Sequence, residues 1–188
     1  MFVAVDPPES AVEHLGTVVD TLAVSRANEP GRSTRVAARD RWHVTLAFLG
    51  ETAVERTDKV VDALTRAAAD VVPPGAVCFA GGGTFGRRNF TIMWAGLGGD
   101  VPGLRRLAEA VRSQLRRRHV WFDGKGFRPH LTLSRPGSRL SADELAADVT
   151  LLEAYRGPLW TVDEVHLVAS ELGPQPRYTR VASIPLLP

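Results

Sequence analysis

The stretch HVTLAFLG, residues 43–50, and its echo HLTLSRPG, residues 130–137, decide how this 188-residue chain is read. Val44, Leu46, Phe48 and Leu49 make the first stretch a buried strand that Gly50 stops, yet His43 and Thr45 stand inside it. Side chains along a strand alternate between its two faces. His43, Thr45 and Ala47 are therefore expected on one face, with Val44, Leu46 and Phe48 on the other. In the second stretch His130, Thr132 and Ser134 share a face opposite Leu131 and Leu133. One His-x-Thr in a strand is ordinarily structural, its imidazole bonded to a nearby carbonyl. Two copies with leucine at the same place, 87 positions apart (130 − 43) in a chain of 188, point instead to two similar lobes. Each lobe lends one strand to a shared groove, which then holds two histidines and two threonines in near-symmetric array.

Such an array suits phosphoryl chemistry without a metal. Imidazole titrates near neutrality, so one histidine can act as base while its protonated twin acts as acid. Threonine hydroxyls can donate to phosphate oxygens as charge builds in the transition state. Neither motif contains a third His, a Cys or a carboxylate to complete a metal site. No G-x-S-x-G is present for a nucleophile elbow. GGGTFG, residues 81–86, fits a dinucleotide-binding spacing, but a strand rather than a helix follows it, so its glycines read as a bulge or a close backbone approach. His14 and His119 are expected in helices, and with His166 they read as surface or satisfied core; Cys78 reads as packing.

Working outward, MFVAV is a strand ended by Pro7 and Pro8, and Glu9 to about Val24 has helical periodicity. NEPGRST, Asn28–Thr34, is loop. Thr52 with Glu55 predicts a capping box for a helix reaching about Ala69, and Ser141 with Glu144 predicts another. AVCFAGGGTFG and FTIMWAGLG form two strands turning near Arg87–Asn89. A helix runs from about Val101 to Arg118, and FRPHLTLSR, residues 127–135, is a strand. LWTVDEVHLVAS and RYTRVASIPL close the chain on either side of LGPQP. Strands and helices mix without strict alternation, which favours α+β with antiparallel pairing.

With 44% apolar and 23% charged residues the composition is that of a soluble globular protein. One cysteine excludes an intrachain disulfide, the N-terminus lacks the features of a signal peptide, and no run approaches a membrane span. A cytoplasmic location is expected. Net charge is only +2, and the basic run LRRRH, Leu115–His119, reads as a helix closing on its negative dipole end rather than as a nucleic-acid patch.

These residues resemble the two-histidine (2H) phosphoesterase superfamily, and within it the bacterial and archaeal RNA 2′,3′-cyclic phosphodiesterases, historically called 2′-5′ RNA ligases. WHVTLAFLG and FRPHLTLSR look like the two signature motifs; MFVAVDPPE, GGGTFGRR and YTRVASIPL look like the opening strand, the central glycine–phenylalanine segment and the closing strand. The resemblance spans nearly the whole chain. It implies a bilobal α+β fold in which two pseudo-symmetric lobes with mostly antiparallel sheets flank a central groove, residues 1–188 forming one domain of two intertwined lobes. It implies an enzyme that hydrolyses 2′,3′-cyclic phosphates of RNA ends or nucleosides to 2′-phosphomonoesters, with reversible 2′-5′ ligation in some members. No metal or cofactor is implied, no membrane is involved, and the chain is expected to act as a monomer.

On this reading His43 and His130 are the catalytic pair, and Thr45 and Thr132 hold the phosphate. His130 is expected to activate water and His43 to protonate the departing ribose oxygen, an assignment that the near-symmetry leaves open to exchange. Phe48, Phe85, Arg135 and Tyr178 are substrate-contact candidates from their family-like positions. Strict alternation sets Phe48 and Arg135 on the wrong face, which reads Phe48 as core, although a bulge at a strand end can re-aim a side chain. Arg128 either approaches an RNA strand or is simply solvated. Two rival readings are a nucleotide-binding module for AMP-like ligands without turnover, and a 2H enzyme cutting 2′-5′ oligonucleotides or ADP-ribose 1″,2″-cyclic phosphate.

Overall fold

The computed structural model describes residues 1–26, 34–86, 90–137, 139–171 and 177–187. The loop expected from Asn28, the turn near Arg87–Asn89 and LGPQP at 172–176 lie outside these residues, Thr34 apart. The strands are β1 (Phe2–Val5), β2 (Val44–Phe48), β3 (Val77–Phe85), β4 (Ile92–Gly99), β5 (His130–Ser134), β6 (Glu164–Glu171) and β7 (Arg177–Pro185). The helices are α1 (Glu9–Thr21), α2 (Ala23–Arg26), α3 (Thr57–Asp70), α4 (Val101–Arg117) and α5 (Ala142–Ala154). The expected mixed, antiparallel architecture is found. The two expected sheets, however, are one seven-stranded sheet in the order β3-β4-β5-β2-β1-β6-β7, with every pair antiparallel. Its seam is the pair β2–β5, which meets at one bridge, Val44↔Leu131.

The apolar stripes of α1, α3, α4 and α5 bury against one face of this sheet in a single cluster that includes Leu15, Leu64, Leu107 and Leu152 with Val3, Val5, Val44 and Leu131. Phe2, Ala4 and Val168 form a separate small cluster. They alternate with the core residues of β1 and β6, so they mark the opposite face, where no helix is stacked among the described residues.

Register corrects the expected faces of both motifs. From β1 to β2 the pairs run Val5↔Val44, Ala4↔Thr45, then Val3↔Ala47 and Phe2↔Phe48. Leu46 is thus an extra residue in β2, a β-bulge. From β4 to β5 they run Gly96↔His130, Ala95↔Leu131, Trp94↔Thr132, then Met93↔Ser134, which makes Leu133 the extra residue. Both bulges fall on the leucine of His-x-Thr-Leu. After each one the alternation is inverted. Ala47 and Ser134, expected beside the histidines, are buried in the core. Phe48, expected in the core, pairs with Phe2 on the opposite face and is 51% exposed. The same inversion carries Arg135, which is exposed, to that face.

Several boundaries differ from expectation for identifiable reasons. The first helix breaks at Leu22 because the amides of Ala23 and Val24 turn to the buried carboxylate of Asp148, at 2.7 and 2.9 Å, which caps α2. The Thr52–Glu55 capping box does not form. A 3-10 turn, Val54–Arg56, leads into α3, and Thr52 donates to the Leu49 carbonyl instead. The Ser141–Glu144 box does form, with both reciprocal bonds. Strand β5 starts at His130 rather than Phe127, since the Phe127 and Arg128 carbonyls accept from side chains and Pro129 has no donor. His119 is not helical. It takes a positive φ of 54° just past α4, and its amide and that of Val120 reach back to Arg116 and Leu115, so LRRRH closes the helix in a Schellman motif.

The glycine run does what a bulge and a close approach require. Gly81 has φ +69° within a bulge of β3, where Phe79↔Leu97 is followed by Gly82↔Ala95. A Cβ on Gly82 would stand 2.6 Å from Leu152 Cβ and 2.8 Å from the Trp94 carbonyl. Gly82→Ala should therefore cost about 1–3 kcal/mol of stability. Thermal unfolding followed by circular dichroism measures it; an unchanged midpoint would contradict the close packing of α5 on β3.

Candidate active site

The single bridge between β2 and β5 sets the site. Continuing its antiparallel register places His43 across from Thr132, and Thr45 across from His130, on the helix-free face. All four residues are half-buried. Each imidazole is held by the same local device. His43 Nδ1 lies 2.8 Å from the Arg41 carbonyl and His130 Nδ1 lies 2.6 Å from the Arg128 carbonyl, two residues back in each case. A carbonyl only accepts, so Nδ1–H donates and the other nitrogen, Nε2, is the unprotonated one in each neutral ring. Aromatic rings fix the planes. Phe2 stacks on His43 at 4.5 Å, with Tyr178 edge-on to it at 5.5 Å. Phe85 meets His130 edge-on at 5.0 Å and itself stacks on Trp94.

Beyond the bridge the two strands part, and each freed edge finds a different partner. On β2 the carbonyl of bulged Leu46 accepts from Arg112 Nε of α4 at 2.9 Å, and the Phe48 carbonyl accepts from the Asp123 amide at 2.8 Å. On β5 the carbonyl of bulged Leu133 accepts from the Ala37 amide at 2.8 Å, and the Arg135 amide donates to the Thr34 carbonyl at 3.2 Å. Buried Thr34 anchors that second wedge by donating to the Val24 carbonyl. Backbone groups that would otherwise be orphaned are thus satisfied while the groove stays open.

Burial and the nearby positive charge of His130 outweigh the Arg41 carbonyl and the carboxylate of Asp6, so His43 is held below the ordinary imidazole value. Asp6 accepts from Arg180 at 2.6 Å. With Phe2, His43 and Tyr178 these two residues line a cavity of about 560 Å³ beside His43. His166 and His14 are satisfied structurally, by Ser183 and by the Tyr155 hydroxyl, each at 2.9 Å.

Of the residues expected from sequence, His43, Thr45, His130 and Thr132 come together at the seam, and Tyr178 and Phe85 touch one imidazole each. Phe48 and Arg135 are on the same face, but among the described residues no contact ties either to a histidine. Sequence reading missed Phe2, Trp94, Asp6 and Arg112. Phe2 and Trp94 could have been found as aromatics at groove-facing positions of strands that pair with the motifs; Asp6 and Arg112 carry no local signal. Among the described residues no group of three or more His, Cys, Asp or Glu side chains comes together as a metal-binding set.

Residues 6–174 match the family model of the 2′-5′ RNA ligase superfamily. The chain belongs to that superfamily. An RNA 2′,3′-cyclic phosphodiesterase of Escherichia coli (strain K12) is 30% identical over 139 residues, 73% of this chain and 72% of its own. The crystal structure of E. coli LigT complexed with 3′-AMP superposes with a TM-score of 0.71 at 26% identity, over 98% of this chain and 96% of that one. TT0787 of Thermus thermophilus gives 0.75 at 26% identity, over 98% and 96% of the two chains. Membership of the superfamily agrees with the paired motifs and with their meeting in one groove.

The tautomers and the asymmetry can be read directly. Nitrogen-15 correlation spectra of the free protein should show neutral His43 and His130 both protonated on Nδ1, with His43 titrating below the ordinary imidazole value of 6.5. An Nε2–H tautomer at either position would remove the orienting role of the two carbonyls.

Proposed function

We propose that this chain hydrolyses 2′,3′-cyclic phosphates of RNA ends or nucleosides to 2′-phosphomonoesters, with His43 and His130 as acid and base and no metal. The observation that carries the reading is the meeting of two His-x-Thr-Leu strands at one bridge, with both imidazoles oriented by the same carbonyl contact and neither Nε2 hydrogen-bonded among the described residues. The names of relatives in the superfamily support the substrate class.

In the proposed reaction His130 Nε2 takes a proton from water as the water oxygen bonds to phosphorus. The bond from phosphorus to the ribose 3′-oxygen breaks, and His43 Nε2 delivers a proton to that oxygen. Thr45 and Thr132 donate to the non-bridging oxygens, where charge accumulates. His43 favours its neutral form in the free protein, so the acid must be armed by the substrate. An anionic phosphate beside the ring stabilises the imidazolium and restores the proton that burial disfavours. A 5′-hydroxyl in place of water would give a 2′-5′ bond by the same proton transfers.

The test is hydrolysis of the four nucleoside 2′,3′-cyclic phosphates in EDTA, with product regiochemistry determined and 2′-5′ oligonucleotides and ADP-ribose 1″,2″-cyclic phosphate run alongside. A bell-shaped pH–rate profile is expected. His43→Ala and His130→Ala should each lower kcat by about 10²–10⁴-fold while the protein stays folded. On an activated aryl phosphodiester, whose leaving group needs no proton, His43→Ala should recover much of its loss and His130→Ala should not. Full activity in both variants would sink the acid–base reading. Loss of turnover in EDTA would sink its metal independence, and tight product binding without turnover would favour a binding module.

A further inference from the structure

The proposed function accounts for the reacting end of the substrate; where a longer chain would run is answered by one end of the groove. Strand β2 ends there at Phe48 and β5 begins there at His130, and residues 120–128 join the two places. This segment is tied to the groove by the Asp123 amide on the Phe48 carbonyl, and by the Arg128 guanidinium, 5.6 Å from the centre of the Phe85 ring. It is tied to α4 by Arg105 donating to the Phe127 carbonyl at 3.1 Å and by Arg112 donating to the Lys125 carbonyl at 2.7 Å. It therefore forms a continuous surface from the imidazole of His130 to the solvent side of α4.

Two properties of that surface bear on what it could hold. The first is charge. Residues 101–128 hold eight Lys and Arg against two Asp and Glu, a net +6, while the whole chain sums to +2, which leaves −4 for everything else. Arg105, Arg112 and Arg116 lie on one helical face, spaced by seven and four residues, and border a cleft of about 660 Å³ against Phe122 and Phe127. Arg105 and Arg112 hydrogen-bond to backbone carbonyls, and Arg128 lies over a ring. Such partners orient a guanidinium without neutralising it. Arg116 pairs with Glu109, Lys125 with Asp123, Arg106 with Asp100 and Arg118 with Asp62, so Arg105, Arg112 and Arg128 carry the charge that this surface offers. The second property is an exposed aromatic. Trp121 is 64% exposed, with its ring edge held against Gly50 just past Phe48. An exposed aromatic reached from Phe48, on the segment that also borders the cleft of Arg105 and Arg112, is an arrangement that holds single-stranded nucleic acid through stacking and backbone charge.

We infer that the RNA chain leading to the reacting 3′ end leaves the groove past Phe48, stacks on Trp121 and lays its phosphates along the arginine face of α4. The inference rests on the proposed function in one respect, that the ligand is RNA; the track itself stands on the charge and the ring. It makes oligonucleotide ends better substrates than mononucleotides.

The experiment uses the full chain and two variants, Trp121→Ala and the double variant Arg105→Glu with Arg116→Glu. Binding of a fluorescent single-stranded RNA of about ten nucleotides, within the usual reach of such surfaces, is read by anisotropy across a salt series. Turnover of a mononucleotide 2′,3′-cyclic phosphate is compared with that of the same oligomer ending in a cyclic phosphate. Expected are a lower KM for the oligomer, affinity that falls with salt, and a loss of about tenfold in oligomer binding and KM in each variant with mononucleotide kinetics unchanged. Oligomer binding that survives both variants overturns the track, whatever the turnover. Equal KM for the two substrates in the wild type overturns its use in catalysis, and polyglutamate displacing the variants and wild type alike in place of RNA overturns the assignment to nucleic acid. Failure to hydrolyse the mononucleotide with RNA binding intact would instead strike the proposed function and leave the track standing.

Discussion

One backbone bridge, Val44 to Leu131, carries the whole arrangement. A second or third pair would zip β2 and β5 into a regular ladder and close the gap between the two strands. No bridge at all would leave the two histidine strands as independent edges. With one bridge the register is set, since a slip by one residue would send each imidazole into the core. Past that point the strands are free to diverge. Divergence is tolerable because the backbone groups it exposes are taken up at once, by Arg112 and the Asp123 amide on one side and by the 34–37 segment on the other. The groove is an opened seam inside one sheet, held apart by hydrogen bonds that replace the missing ladder.

The sequence discloses which residues meet better than the geometry of their meeting. That His43, Thr45, His130 and Thr132 come together was legible because the information is local and doubled: the same residue types at the same spacing in both halves. The Ser141–Glu144 box was legible for the same reason, and the Thr52–Glu55 box, equally good on paper, lost to a 3-10 turn. The faces of Ala47, Phe48 and Ser134 were misread because a bulge belongs to a pair of strands and not to either one. Nothing in HVTLAFLG announces that Leu46 has no partner; only the β1 register does. Arg112 was invisible in a stronger sense, since it reaches a carbonyl 66 residues away and no pattern within a helix predicts that.

The two histidines are near-twins in sequence but not in surroundings. His43 lies on Phe2 with Asp6 close by, in the part of the sheet completed by β1, β6 and β7. His130 lies against Phe85 and Trp94, between β4 and the seam. A duplicated motif on a shared sheet therefore meets two different walls, and the walls rather than the motifs distinguish the two imidazoles. Burial disfavours the charged form of His43, and the carboxylate of Asp6 opposes it.

The bulges also say how such a site can change. Because Leu46 and Leu133 are each one residue more than the facing strand supplies, deleting either would leave the pairs Val3↔Ala47 and Phe2↔Phe48, or Met93↔Ser134, as they are, and Phe48 and Ser134 would keep their faces. What the extra residue adds is a carbonyl that the ladder does not use: that of Leu46 takes Arg112 of α4, and that of Leu133 takes the Ala37 amide. A chain one residue shorter in each strand would present the same side chains on the same face but lose the two ties by which its surroundings grip the seam.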